Sequence, residues 1–157
     1  MSWVRRGERK RVPYENPQRR RLNAMALSTI HGADRSLYWM LSRRHFDAED
    51  LLHFLRELPP APVPTVIALD NANFHRSHVV GDARPKLRER GLYLYFLPAY
   101  SPKLNDIERL FRTIKHHELP ERTYPTFDGL ERAVDDAFGR CEARLLTQHA
   151  NQLGKAA

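Results

Sequence analysis

The chain has 157 residues, with 26 Lys and Arg against 19 Asp and Glu, for a net charge of +7 and a pI near 9.9. A hydrophobic fraction of 41% with 10% aromatic residues fits one globular core and excludes wholesale disorder. No apolar run approaches the ~18 residues of a membrane span, and the basic, polar start MSWVRRGERK does not read as a signal peptide.

The single Cys141 has no partner for an internal disulfide, which fits a reducing cytoplasm. It reads as a small apolar helix residue rather than a catalytic thiol. The charge is unevenly placed. Residues 1–23 carry Arg5, Arg6, Arg9, Lys10, Arg11, Arg19, Arg20 and Arg21 against only Glu8 and Glu15, so the rest of the chain is nearly neutral. This basic arm is either a solubilising tail or a grip on a polyanion. Arginine suits bidentate phosphate contact, which favours the second. Trp3 and Tyr14 are expected to pin the arm to the body rather than to stack on bases, and Gly7, Pro13 and Pro17 break any periodicity there.

In chain order, residues 21–30 and 36–42 read as an antiparallel hairpin, with Asp34 in its tip and no catalytic part for it. A helix over 47–58 follows, capped by Asp47 with Asp50 three residues on, and its buried stripe is Leu51, Leu52, Leu55 and Leu58. Pro59 and Pro60 end it. Thr65 to Leu69 is apolar on both faces, which predicts a parallel strand covered on both sides and ending at Asp70. A helix over 77–90 is predicted, weakened by Gly81 and Pro85, and Gly91 closes it before a strand over 92–97. A helix from Asn105 to about Glu118 carries Ile107, Leu110, Phe111 and Ile114 on one stripe. The last helix spans 127 to about 149, with Thr126 as its cap. Its stripe is Leu130, Val134, Phe138, Cys141 and Leu145, with Asp135 and Asp136 solvated off it. The order is hairpin, helix, strand, helix, strand, helix, helix.

Functional groups in α/β sheets gather beyond the carboxyl ends of parallel strands. Asp70 stands at such an end, exposed by the turn that follows it. Glu108 has two readings. The N-x-x-E pattern of Asn105 to Glu108 is that of a capping box, and the same carboxylate near a helix tip is a candidate ligand. Paired with Asp70, it suits a hard divalent cation that keeps waters and phosphate oxygens. Asp106 competes as a ligand but lies farther from the apolar stripe. Lys115 is either a solvated lysine or a phosphate contact. His75 and His78 have helical spacing without a third ligand for zinc, and His116 and His117 suit a helix C-terminus without any further role.

The segments LDNANFH (residues 69–75) and YFLPAYSPKLNDIERLFRTIK (residues 95–115) resemble the signature of DDE transposases of the mariner-type superfamily, as found in bacterial insertion sequences. Thirty-seven residues lie between Asp70 and Glu108, close to that family's usual gap. The resemblance implies a ribonuclease H-like α/β fold, a mixed sheet flanked by helices. It makes Asp70 and Glu108 catalytic metal ligands for two Mg²⁺ or Mn²⁺ ions, which serve cleavage and strand transfer of transposon-end DNA. Asn71 and His75 match motif positions without settled roles. Asp106 replaces a usual proline, and Phe111 stands where tryptophan is frequent.

The family's first aspartate lies on a strand before a segment like SWVRRGER, and a helix-turn-helix region reads the transposon ends. Neither pattern occurs here from Met1 onward. Residues 1–157 are therefore expected to form an N-terminally truncated catalytic domain, first strand absent, inactive alone. The implied partners are transposon-end and target DNA, the upstream half of a split transposase, and a second copy in a homodimer. The expected location is the bacterial cytoplasm, on the nucleoid. Two other readings stand beside this one: a non-catalytic nucleic-acid-binding module using the basic arm, and another ribonuclease H-like nuclease.

Overall fold

A computed structural model describes residues 21–29, 36–60, 63–98, 101, 104–119 and 124–153. The elements are β1 (Asn23–Ser28), β2 (Leu37–Ser42), α1 (Ala48–Glu57), β3 (Thr65–Leu69), a 3₁₀ turn (Asn73–Arg76), α2 (His78–Glu89), β4 (Leu92–Phe96), α3 (Asp106–Thr113), a π-helical turn (Ile114–Glu118) and α4 (Phe127–Leu153). This is the expected order, in a mixed α/β chain. The chain divides into two compact units, residues 44–109 and residues 1–43 with 110–157. Among the described residues, strands pair as two two-stranded sheets, β1 with β2 and β3 with β4.

In the unit of residues 44–109, α1 starts with the capping box that its sequence predicts. The Asp47 carboxylate accepts from the Asp50 N–H at 3.0 Å, and the Asp50 carboxylate accepts from the Asp47 N–H at 3.0 Å. Leu51, Leu52, Phe54 and Leu55 are buried on one face of α1. Beyond its last turn, Arg90 donates to the Leu55 and Leu58 carbonyls, both at 3.1 Å, which satisfies carbonyls that a helix end leaves open. Ser77 caps α2 through the Val80 N–H. Pro85 sits inside α2, where its ring removes the one N–H that would meet the Gly81 carbonyl. The helix nevertheless runs through. Gly91 then turns the chain at φ +77°, a left-handed conformation that suits a residue without Cβ.

β3 and β4 are parallel, with Thr65 opposite Leu92 and Leu69 opposite Phe96. The Leu97 N–H donating to the Leu69 carbonyl at 2.8 Å extends this pairing one step further. The expectation of a strand covered on both faces is corrected. Ile67, Leu69, Leu92 and Leu94 are buried, with α2 packed on β4, but Val66 and Tyr95 are 65% and 57% exposed on the other face. Composition reports that residues are apolar. Which face finds a partner depends on elements far away in sequence.

In the other unit, β1 and β2 form the antiparallel hairpin, with Asn23 opposite Ser42 and Ser28 opposite Leu37; the tip with Asp34 lies outside the described residues. Leu37, Ile114, Ala137, Phe138 and Cys141 form the core, with Trp39, Phe111, Val134 and Leu145 packed around it. The Phe138 ring stacks on Trp39 at 5.5 Å and meets Phe111 edge-on at 6.1 Å. Burial pushes the Cys141 thiol up from its usual value, as for an apolar filler rather than a nucleophile. Thr126 caps α4 by accepting from the Gly129 N–H at 3.1 Å, as expected. Asp135 is exposed but takes the Trp39 indole N–H at 2.7 Å, so it anchors the hairpin besides meeting solvent. Among the described residues, no helix is long and apolar enough to cross a membrane.

Candidate active site

The turn that follows β3 is built from side chains acting on backbone. Asp70 leaves the strand with its side chain 56% exposed. One of its oxygens, Oδ1, accepts from the Ala72 N–H at 3.0 Å, a short-range bond typical of aspartate in turns. Asn71 reaches across to β4, and its amide donates to the Leu97 carbonyl at 2.6 Å. The same strand ends are thus tied twice, once by the Leu97 N–H bond to Leu69 and once by Asn71. Arg76 approaches the Asn71 amide oxygen at 3.5 Å on the exposed side. One N–H of the Asn71 amide is thus committed to the scaffold.

His75 enters from the 3₁₀ turn, which begins where its N–H donates to the Ala72 carbonyl at 3.0 Å. Its ring is 12% exposed and leans edge-on against Phe74, with ring centroids 4.2 Å apart. The Nδ1 atom lies 2.8 Å from Asp70 Oδ1 and 3.2 Å from the Asp70 carbonyl. The sequence marked Asn71 and His75 as motif positions. What it lacked was their partners, and nothing in the local pattern around Asn71 signals a carbonyl 26 residues away.

Glu108 lies in the first turn of α3, in the same compact unit as Asp70. Its N–H donates to the Asn105 carbonyl at 3.1 Å, while its side chain is exposed and closes no capping box with Asn105 among the described residues. The contrast with Asp47 and Asp50 is instructive. Two similar sequence patterns occur, one closes as a box, and the Glu108 carboxylate stays open. Asp106, in the same turn, is also exposed.

Lys115 is exposed in the π-helical turn, where the Leu119 N–H reaches back five residues to the Ile114 carbonyl at 2.8 Å. It belongs to the compact unit of residues 1–43 and 110–157, and Asp70 to that of residues 44–109. The expected uniform α-helix to Glu118 is corrected to an α-helix ending at Thr113 followed by that π turn. Arg21 is exposed at the foot of β1. Arg5, Arg6, Arg9, Lys10, Arg11, Arg19 and Arg20 lie outside the described residues.

Asp70 and Glu108 are the right kind of donor for a hard divalent ion, oxygen ligands on exposed carboxylates at the ends of regular elements. They are few for such a site. Among the described residues no group of three His, Cys, Asp or Glu side chains is placed to hold a metal ion, so Glu108 does not complete a three-ligand group with Asp70 and His75.

This is a mixed α/β chain that presents carboxylates from a strand end and a helix start. The model of the DDE superfamily endonucleases matches residues 1–131, most of its length, and the chain belongs to that family. The family acts on DNA and normally uses divalent metals. No curated protein and no solved structure matches the chain.

Proposed function

We propose that the chain is the catalytic-domain portion of a mariner-type DDE transposase from a bacterial insertion sequence. In this reading it has a ribonuclease H-like domain and works in metal-dependent cleavage and strand transfer of transposon-end DNA. Asp70 and Glu108 are two of its three acids, and they would hold the Mg²⁺ or Mn²⁺ ions. When bound, such ions activate the attacking water or hydroxyl and stabilise the leaving oxygen. The chain's own part is to fix the two carboxylates at the ends of β3 and of the loop into α3. The observation that carries the reading is the pairing of LDNANFH and LPAYSPKLNDIE within a chain that belongs to the DDE endonucleases. Asp70 and Glu108 each keep an oxygen clear of protein donors among the described residues.

No third acid joins them among the described residues, and the reading takes that acid from outside them. The basic arm and Lys115 contact DNA phosphates. The purified chain with Mg²⁺ or Mn²⁺ is then expected to leave DNA carrying the ends that flank its gene uncut. Nicking should appear when a segment bearing the first aspartate is added, and should disappear in Asp70→Ala and Glu108→Ala. Nicking by the chain alone that both substitutions abolish would overturn the need for a third acid. Nicking indifferent to both would overturn the site.

A second reading, a non-catalytic DNA-binding module, is favoured by one observation: nearly all the excess positive charge lies in residues 1–23. It predicts steeply salt-dependent DNA binding that survives Asp70→Ala and collapses when residues 1–21 are removed.

A further inference from the structure

The structure assigns His75 a positioning role: it holds the Asp70 carboxylate so that Oδ1 is occupied and Oδ2 is the oxygen offered to a divalent cation. This role rests on the proposal that Asp70 is a metal ligand.

The two atoms facing His75 Nδ1 are the Asp70 carboxylate oxygen at 2.8 Å and the Asp70 carbonyl at 3.2 Å. An ionised carboxylate and a carbonyl only accept. Nδ1 therefore carries the hydrogen and donates, and a protonated ring nitrogen is not a metal ligand. With the Ala72 N–H at 3.0 Å, Oδ1 receives two donors. Oδ2 receives none among the described residues, so the carboxylate is set up to bind through one oxygen.

Burial decides which partner holds which. The His75 side chain is 12% exposed and Asp70 is 56% exposed. The histidine is the fixed member, set by its N–H bond to Ala72 and by the Phe74 ring. An aspartate that open would otherwise sample several rotamers, and ordering it would be charged against metal binding. Outer partners of metal ligands act in this way, and their loss typically lowers affinity about 10–100-fold. Asn71 secures the same turn through Leu97 but touches neither Asp70 oxygen. His75 is the only described side chain that does.

The test uses the full chain, with Mn²⁺ as the probe and paramagnetic broadening of the Ala72 amide as the readout. Asp70→Ala abolishes the broadening. His75→Ala leaves the fold intact by amide spectrum and weakens Mn²⁺ binding at least about tenfold. His75→Asn, whose Nδ2–H occupies the place of Nδ1–H, returns most of it, which a purely structural loss would not do. A long-range ¹H–¹⁵N spectrum of the metal-free chain shows His75 protonated at Nδ1. Broadening that disappears in Asp70→Ala but is unchanged in His75→Ala would overturn the positioning role and leave the metal reading standing, as would an Nε2–H tautomer. Broadening unaffected by Asp70→Ala, or absent in the unsubstituted chain, would overturn the metal reading, and the positioning role with it.

Discussion

Asn71→Ala removes one hydrogen bond, but at a place where the bond ties the Asp70 turn to the neighbouring strand. The amide donates to the Leu97 carbonyl at 2.6 Å in a part-buried setting. A hydrogen bond of this kind is worth about 1 kcal/mol net, and a buried acceptor left without a donor costs about 1–3 kcal/mol more. Leu97 is only half-buried, so water takes up part of the loss and the expected cost is about 1–2 kcal/mol. The contact to Arg76 at 3.5 Å is exposed and adds little. A global melt is the wrong assay, because the chain forms two compact units and a single transition is not assured. Native-state amide exchange reads the site directly. The Leu97 amide, which bonds the Leu69 carbonyl at 2.8 Å, should exchange roughly 5–30-fold faster. The β1–β2 hairpin amides should not change. Asn71→Asp places an acceptor against the Leu97 carbonyl and should lose at least as much. Unchanged Leu97 protection, or an equal loss in the hairpin, would show that Asn71 does not tie the turn to β4.

Two further predictions concern the scaffold. Phe138→Ala empties the centre of the hairpin–α4 core, where the ring is 1% exposed and contacts both Trp39 and Phe111. It should cost about 3–5 kcal/mol, measured by native-state amide exchange of the β1–β2 hairpin amides, and a cost near 1 kcal/mol would contradict that packing. The Asp50 carboxyl, although burial raises it, is held below its ordinary value by the Asp47 backbone N–H and the Arg44 guanidinium. A carboxyl lowered by folding stabilises fully above its unfolded value near 3.8, and this is lost as pH falls through the folded value. Protection of the α1 amides should therefore fall as the pH drops below about 4, and Asp50→Asn should flatten that acid limb. An unchanged limb would contradict it.

Much of this architecture was legible in the sequence because its signals are local. The box at Asp47 and Asp50, the cap at Thr126 and the turn at Gly91 all depend on residues within one turn of each other, and each stands where the pattern puts it. α2 was legible despite Pro85, since a single missing N–H does not outweigh a capped start and the burial of Val80 and Leu87. The exposed face of Val66 and Tyr95 was not legible, because coverage is a property of partners and not of the strand. The π turn at Ile114 likewise leaves no periodic mark over five residues. The motif singled out Asp70, Asn71, His75 and Glu108 as candidates. The division of work among them, with Asn71 gripping Leu97 and His75 gripping Asp70, needed coordinates. The open Glu108 carboxylate also needed them, since in sequence it is indistinguishable from a capping glutamate.

Whether Asp70 and Glu108 serve one divalent-cation site, as proposed, is read from a Mn²⁺ titration of the full chain followed by amide spectra. The Ala72 amide, which bonds Asp70, and the Arg109 amide, which follows Glu108, should broaden with the same concentration dependence, and Asp70→Ala and Glu108→Ala should each remove both effects. Broadening at one residue that survives substitution of the other, or none at either, would contradict it.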